Sequence, residues 1–380
     1  MPLTAVLAGG WTGALAGVNP LAVSGTRVDL NAVTAIPGGG AWAVGEKCSP
    51  QTGSCTPGDD EVLKESGSAW SQVPSPSPGG PADLVAVSAD SASDAWAVGG
   101  YDGVDKSLYL HWTGGAWKQV PGPGGSDIAL YGVAAISPTD ALAVGDETSS
   151  TGTMTLGLHW NGKTWAKVRT PSPGGGGFDE LYGVSAVSAT DAWAVGIGDD
   201  QDHSGQTLVL HWNGSKWSQA SAPPVPTFAT QLNAVSAASG QDAWAVGQYY
   251  SPADVDQPLI LHWNGSSWSR QKLPSLGHSV HVLHAVAATA SDAWAVGLGP
   301  CVGQSINCPS KTLTMHLTSS GWKVVPGVSV SDRQDQNSLF GVAIAPGSKA
   351  WAVGDYFPAA QGEPFFATLQ YWNGSSWVSR

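Results

Sequence analysis

Basic residues are scarce in this chain. Its 380 residues include 16 Lys and Arg against 29 Asp and Glu, a formal net charge of -13, and only 12% are charged at all. Phosphate backbones and anionic membrane surfaces are gripped largely through Lys and Arg, so nucleic acid is excluded as a partner. No apolar run reaches the roughly eighteen residues of a transmembrane helix, and no membrane span is expected. Neither a Gly-x-Ser-x-Gly nucleophile elbow nor a Gly-rich phosphate loop occurs. Long stretches of 3.6-residue periodicity are missing too. The 50 Gly and 26 Pro instead suit many tight turns.

Cysteine is rare but patterned. The 4 cysteines form two pairs of equal spacing, Cys48/Cys55 and Cys301/Cys308, each closing a loop rich in Gly, Ser and Pro. Two local disulfides are the economical reading, which implies an oxidising compartment and a secreted protein. Reduced thiols or a metal site are the alternatives, although the closer Cys-x-x-Cys spacing of zinc sites is absent. Residues 1–26 are an N-terminal extension with two readings. Ala14-Leu15-Ala16 resembles the end of a signal peptide, but no basic segment precedes it. Alternatively, Leu3 to Trp11 aligns with Leu313 to Trp322 and forms an extra hairpin.

What the chain has in abundance is one unit, written seven times. Its clearest copy runs from Leu181 to Ser218: Leu-Tyr-Gly-Val-Ser-Ala-Val-Ser, a turn with Asp191, Ala-Trp-Ala-Val-Gly, a loop, Thr-Leu-Val-Leu-His-Trp, Asn213-Gly214 and Ser-Lys-Trp-Ser. Strand a begins at Leu30, Leu84, Leu130, Leu181, Leu232, Leu283 and Leu339; strand b begins at Ala41, Ala95, Ala141, Ala192, Ala243, Ala293 and Ala350. Strand c carries Leu-His-Trp and meets strand d across Asn161-Gly162, Asn213-Gly214, Asn264-Gly265 or Asn373-Gly374, where a type I' turn is expected. A period near fifty residues with four short strands predicts an all-β, seven-bladed β-propeller of four-stranded antiparallel blades, a single domain over 27–380. Of the 19 Trp, all but Trp11 recur at three positions of the unit, so they are expected to fill the space between blades.

The run Leu-His-Trp-x-Gly-x-x-Trp-x-Gln-Val-Pro from Leu110 to Pro121, after Ser-Asp-Ala-Trp-Ala-Val-Gly, resembles tectonin-type lectin propellers. It is also similar to secreted bacterial propellers with Asp-Ala-Trp-Ala-Val-Gly repeats and, more loosely, to kelch and Asp-box units. The resemblance implies the fold and a lectin-like, carbohydrate-binding role. The units here are longer, so no ligand residue carries over one by one.

Antiparallel blades send their a-to-b and c-to-d connections to one face and their b-to-c and d-to-a connections to the other. The first set is short and uniform; the second varies in length and chemistry, and an asymmetric site belongs there. Ligand-binding candidates on that side are Tyr101, Tyr249 and Tyr356, together with Tyr131, Tyr182, Asn233, His284 and Phe340 from the position after the leading Leu of strand a, which reads Asn31 and Val85 in the first two units. Carboxylates such as Asp127, Asp146, Asp179 and Glu180 accompany them. Asp199, Asp200 and Asp202 have the carboxylate density of a calcium loop without its full register, so calcium is an optional ligand and no cofactor is required. His278, His281 and His284 could share a zinc only across a turn, because i and i+3 face opposite ways in a strand. The histidines recurring on strand c read as structural, and Asp94, Asp140, Asp191, Asp242 and Asp292 read as caps of the a-to-b turn.

These readings favour a secreted, non-catalytic propeller that binds carbohydrate or an extracellular protein through its variable loops. No catalytic residue stands out. A secreted glycoside hydrolase or lyase with carboxylates at the channel mouth is the second reading, and a structural or assembly module the third. The oligomeric state is left open by the sequence.

Overall fold

The computed structural model describes residues 27–380 apart from short segments at 49–58, 68, 77, 102–105, 125–126, 151, 175–176, 200–204, 226–228, 252–254, 302–308, 330–334 and 358–365. Seven four-stranded antiparallel sheets follow one another, each built from consecutive strands. Blade 1 runs Arg27–Ala35, Ala41–Cys48, Asp59–Ser66 and Ala69–Gln72, and blade 7 runs Gln336–Ala345, Lys349–Phe357, Phe366–Trp372 and Trp377–Ser379. Strand a is innermost. Each touches the strand a on either side, and the first touches the last, so the ring is closed by packing between blades 7 and 1. The N-terminal extension, Cys55 and Cys308 lie outside the described residues. Cys48 and Cys301 end their strands b.

The expected propeller is therefore present, and one local device repeats in every blade. Strand a slips register just after its leading Leu, so that Asn31, Val85, Tyr131, Tyr182, Asn233, His284 or Phe340 is the extra residue of a β-bulge. Opposite each bulge stands the Gly of Ala-Val-Gly. A Cβ on Gly196 would lie 1.9 Å from the Glu180 carbonyl oxygen, and the six equivalent glycines meet the same backbone atom at 1.9–2.0 Å. Only glycine lets the two strands come this close. The invariant glycine and the variable residue are thus two halves of one feature.

Tryptophans join the blades. Trp42 of blade 1 meets Trp112 and Trp117 of blade 2 at 4.9 and 5.1 Å, and Trp96 of blade 2 meets Trp160 and Trp165 of blade 3 at 4.9 Å each. The series continues through Trp193, Trp244 and Trp294 to Trp351, which meets Trp70 of blade 1 at 5.4 Å. Leu142 replaces the Trp of blade 3 and packs with Trp212 and Trp217 of blade 4. Strand b of one blade is thereby clamped by strands c and d of the next. Serines of strand a add polar stitches: the backbone N–H groups of Ala135, Ala237 and Ala288 donate to Ser88, Ser185 and Ser236 of the preceding blade at 3.0 Å.

Two local expectations are corrected on the uniform face. The aspartates before strand b accept a hydrogen bond from Nε2 of the strand c histidine in the same blade, at 2.6–2.9 Å in blades 2 to 6. The a-to-b turn is capped instead by the hydroxyl that begins it, as where the Thr190 N–H donates to Ser188 Oγ. In the four Asn-Gly loops between strands c and d, positive φ falls on the second residue alone, Gly162, Gly214, Gly265 or Gly374. The preceding Asn keeps an ordinary backbone and uses its side-chain oxygen to accept two N–H groups, as Asn213 does from Ser215 and Lys216. That is an Asx-type loop of four residues, and a type I' turn is not formed.

Candidate ligand-binding mouth

The loop from strand d of blade 3 to strand a of blade 4 shapes the site. It reads Pro171-Ser-Pro-Gly174-Gly-Gly-Gly177-Phe178-Asp179-Glu180. Asp179 is fully buried and accepts hydrogen bonds from the N–H groups of Gly174 and Asp199, at 3.0 Å for the shorter Gly174 bond and for Asp199. A Cβ at Gly174 would stand 2.9 Å from Asp179 Oδ1, so the small residue is what lets the loop wrap the carboxylate. Backbone bonds from Thr153 to Gly177 and from Asp179 to Thr153 pin the loop to strand c of blade 3. Phe178, held between those bonds, is left 52% exposed at the rim.

Beneath Phe178 lies a cavity of about 430 Å³ on the side of the ring where the variable connections emerge. Asp83, Asp127, Tyr131, Asp146, Phe178 and Glu180 line it, with Val85, Ile128 and Leu130 supplying apolar wall. The carboxylates come from different blades: Asp83 from strand a of blade 2 (Ala82–Ser91), Asp146 from strand b of blade 3 (Asp140–Ser149) and Glu180 from strand a of blade 4 (Glu180–Ser188). No Lys, Arg or His lines the cavity among the described residues.

Burial dominates the electrostatics. It pushes the Asp83 carboxyl up to about 6, the charge of Asp29 adds to that, and a 2.7 Å hydrogen bond from Asn31 Nδ2 opposes it. Burial also raises Asp146 and Glu180, with the hydroxyls of Tyr131 and Thr148 easing Asp146 and that of Tyr182 easing Glu180. The Tyr182 hydroxyl donates to Glu180 Oε2. Burial first, and then these carboxylates, raise the phenols of Tyr131 and Tyr182 well above their usual range, so both remain hydrogen-bond donors. Asp146 is only 5% exposed, and its Oδ1 finds no hydrogen-bond partner among the described residues.

The eight sequence-predicted ligand residues fall into two groups. Tyr131, Tyr182, Asn233, His284 and Phe340 are bulge residues, one per blade on successive strands a. Tyr131 and Tyr182 stand together at 5.6 Å by the cavity. Asn233 donates to the Leu283 carbonyl at 2.8 Å and His284 Nδ1 to the Leu339 carbonyl at 3.1 Å, so these two tie their blade to the next. Phe340 stacks on His284 at 5.1 Å, and burial holds that imidazole down at about 4 and hence neutral. Tyr101, Tyr249 and Tyr356 sit on strands b, apart from the cavity. Tyr101 packs on the blade 1–2 core, Tyr249 lies under the Arg270 guanidinium at 4.4 Å beside a separate cavity, and the Tyr356 hydroxyl donates to Asp335 at 3.2 Å.

Of the calcium candidates, Asp200 and Asp202 lie outside the described residues, while the backbone of Asp199 serves Asp179. His281 is buried with Nδ1 donating to the Ser279 carbonyl, and no group of three His, Cys, Asp or Glu able to hold a metal ion occurs among the described residues. Sequence reasoning missed Asp83 and Phe178. The position before the leading Leu reads Asp29, Asp83, Ala129, Glu180, Gln231, Val282 and Ser338, so the acidic members of blades 1, 2 and 4 were visible in the repeat. Phe178 carries no repeat signal.

No protein-family model and no curated protein matches the chain. Solved propellers resemble it at low identity. The β-propeller domain of the Trilobed protease from Pyrococcus furiosus, described as having an open velcro topology, is 9% identical with a TM-score of 0.54, covering 93% of this chain and 97% of that one. A protein of unknown function from Dyadobacter fermentans DSM 18053 is 11% identical with a TM-score of 0.51, covering 77% and 94%. YCF48 bound to a D1 peptide is 13% identical with a TM-score of 0.47, covering 78% and 81%. The likeness is one of fold.

Proposed function

We propose that this is a secreted, non-catalytic binding propeller that takes a glycan at the mouth formed by blades 2 to 4. The observation that carries the reading is convergence: Asp83, Asp146, Glu180, Tyr131 and the exposed Phe178 meet at one cavity of about 430 Å³, on the side where the blades differ. That size and mixture suit a small-ligand site, with aromatic rings for the apolar face of a pyranose and oxygens for its hydroxyls. An extracellular protein segment is the other ligand class that such a surface accepts, and calcium bound near Asp199 would be an accessory.

A glycan array read together with a reducing-sugar assay tests this. Array binding that Phe178→Ala and Tyr131→Ala weaken, without sugar release, is the expected result; absence of binding to every glycan removes the reading. The second reading, a glycoside hydrolase, is favoured by the raised carboxyls of Asp83 and Glu180, since a carboxyl that keeps its proton is what a general acid needs. Release of reducing ends that Glu180→Gln abolishes is its expected signature.

A further inference from the structure

The mouth has a charge it does not balance. Asp83, Asp127, Asp146 and Glu180 line one cavity, and no basic side chain reaches that lining among the described residues. Buried carboxylates without a counter-charge are costly, and proteins retain them where something else supplies the charge. Asp146 makes the point most sharply, because it is 95% enclosed (5% exposed) with Oδ1 accepting no hydrogen bond. The donors nearby, Tyr131, Tyr182 and Thr148, are neutral hydroxyls, so they orient these carboxylates without neutralising them. Beside the acidic wall stand the Tyr131 ring, the Phe178 ring and the aliphatic groups of Val85, Ile128 and Leu130. A bare cation would use the first wall and leave the second empty. A neutral sugar would use the second and leave the first uncompensated.

We infer that the ligand carries a primary ammonium on a sugar ring: the mouth receives an amino-sugar residue of a cationic glycan, its ring against Phe178 and Tyr131 and its ammonium among Asp146, Glu180 and Asp83. This rests on the glycan-binding reading above and narrows it to one chemical class. Tyr131 and Tyr182 stay protonated and keep the two central carboxylates aimed at the incoming group. Ligand binding favours the ionised carboxyls, so affinity rises with pH through the range where Asp83 deprotonates, near 6. The groups that share this field are Asp29, Asp127, Asp146, Glu180, Tyr131 and Tyr182.

Isothermal titration at about pH 6, just below the range in which amines flanked by the ring's electron-withdrawing oxygens lose their proton, decides it. The probes are a β-1,4-linked tetrasaccharide of glucosamine, its fully N-acetylated counterpart, and tetralysine. The expected result is that the glucosamine tetramer binds at least about tenfold more tightly than the acetylated one, and that Asp146→Asn removes most of that preference. Asp146→Asn is nearly isosteric and removes a buried charge, and Phe178 is half exposed, so Phe178→Ala is a second variant whose fold is not at stake; it weakens the glucosamine tetramer. Equal binding of both tetrasaccharides overturns the ammonium inference and leaves the glycan reading standing. Binding of tetralysine with no binding of either sugar overturns both, and identifies the partner as a basic peptide.

Discussion

The two rims of the ring use the same residue types to opposite ends. On the uniform rim, Asp and His meet five times in the same way, His111 with Asp94, His159 with Asp140, His211 with Asp191, His262 with Asp242 and His316 with Asp292, and in blades 2, 5 and 6 the imidazole also stacks on the strand b Trp at 4.0–4.1 Å. Blades 1 and 7 lack both partners together. Lys64 and Gly40 stand at those positions in blade 1, with Lys64 Nζ 4.7 Å from the Trp42 ring, and Tyr371 and Lys349 stand there in blade 7. On the variable rim, carboxylates gather around a cavity with no basic partner in its lining. Acids of the first kind are paired and tie two strands of one blade together, whereas acids of the second kind share a cavity without a basic partner in its lining.

The largest effect that would sharpen this contrast is on the scaffold. Trp96, fully buried between blades 2 and 3, should cost about 3–5 kcal/mol when replaced by Ala, measured by chemical denaturation. A loss under about 1 kcal/mol would show that the blades do not depend on that wedge. Next comes the latch of blade 2. His111→Ala leaves the buried Asp94 carboxylate without its donor and is expected to cost about 1–3 kcal/mol, while Asp94→Ala added to it costs less than the sum of the two single changes. Strict additivity in that double-mutant cycle would break the idea of a pair.

On the other rim the sign reverses. Asp83 holds a proton in the folded chain up to about pH 6, whereas the unfolded carboxyl loses it near 3.8, and Glu61, raised to about 7 chiefly by burial, behaves alike. The folded state therefore binds more protons across this range, and these groups contribute stability at about pH 4 that is lost as the pH rises to 7. Asp83→Asn is expected to raise the melting midpoint at pH 7.5 by about 2–4 °C, with the gain vanishing near pH 4. Asp146→Asn should give a smaller rise, on the order of 1–2 °C. Melting curves in which either variant is destabilised at pH 7.5 would mean that these carboxylates serve the fold.

Much of this was legible in the chain because the repeat acts as its own alignment. Leading leucines, Ala-Trp-Ala-Val-Gly and the strand d Trp name the strands, and their spacing names the ring. The bulge was legible in disguise: within the Leu-x-[Ala/Gly]-Val motif of strand a, the freely varying position is the residue that the register skips. Its neighbour follows it, since Tyr131, Tyr182 and Phe340 precede Gly while Asn31, Val85, Asn233 and His284 precede Ala. A Cβ on Gly183 would meet the Ala234 Cα of the next blade at 2.9 Å, which explains why that position stays small. The latch was half legible. The joint loss of Asp and His from blades 1 and 7 was available, yet the aspartates read as turn caps because that role needs no partner from a distant strand.

The order of strands, the number of blades and the places of the tryptophans were decided by local pattern, since each unit buries its faces only against copies of itself. Which carboxylates share a cavity was decided by closure of the ring. Asp83, Asp146 and Glu180 are far apart along the chain and meet only because blades 2, 3 and 4 are wedged side by side, with Phe178 carried over them by a loop whose course depends on the buried Asp179. Repetition encodes a scaffold in every copy, but the field at the mouth is a sum over blades that no single copy contains.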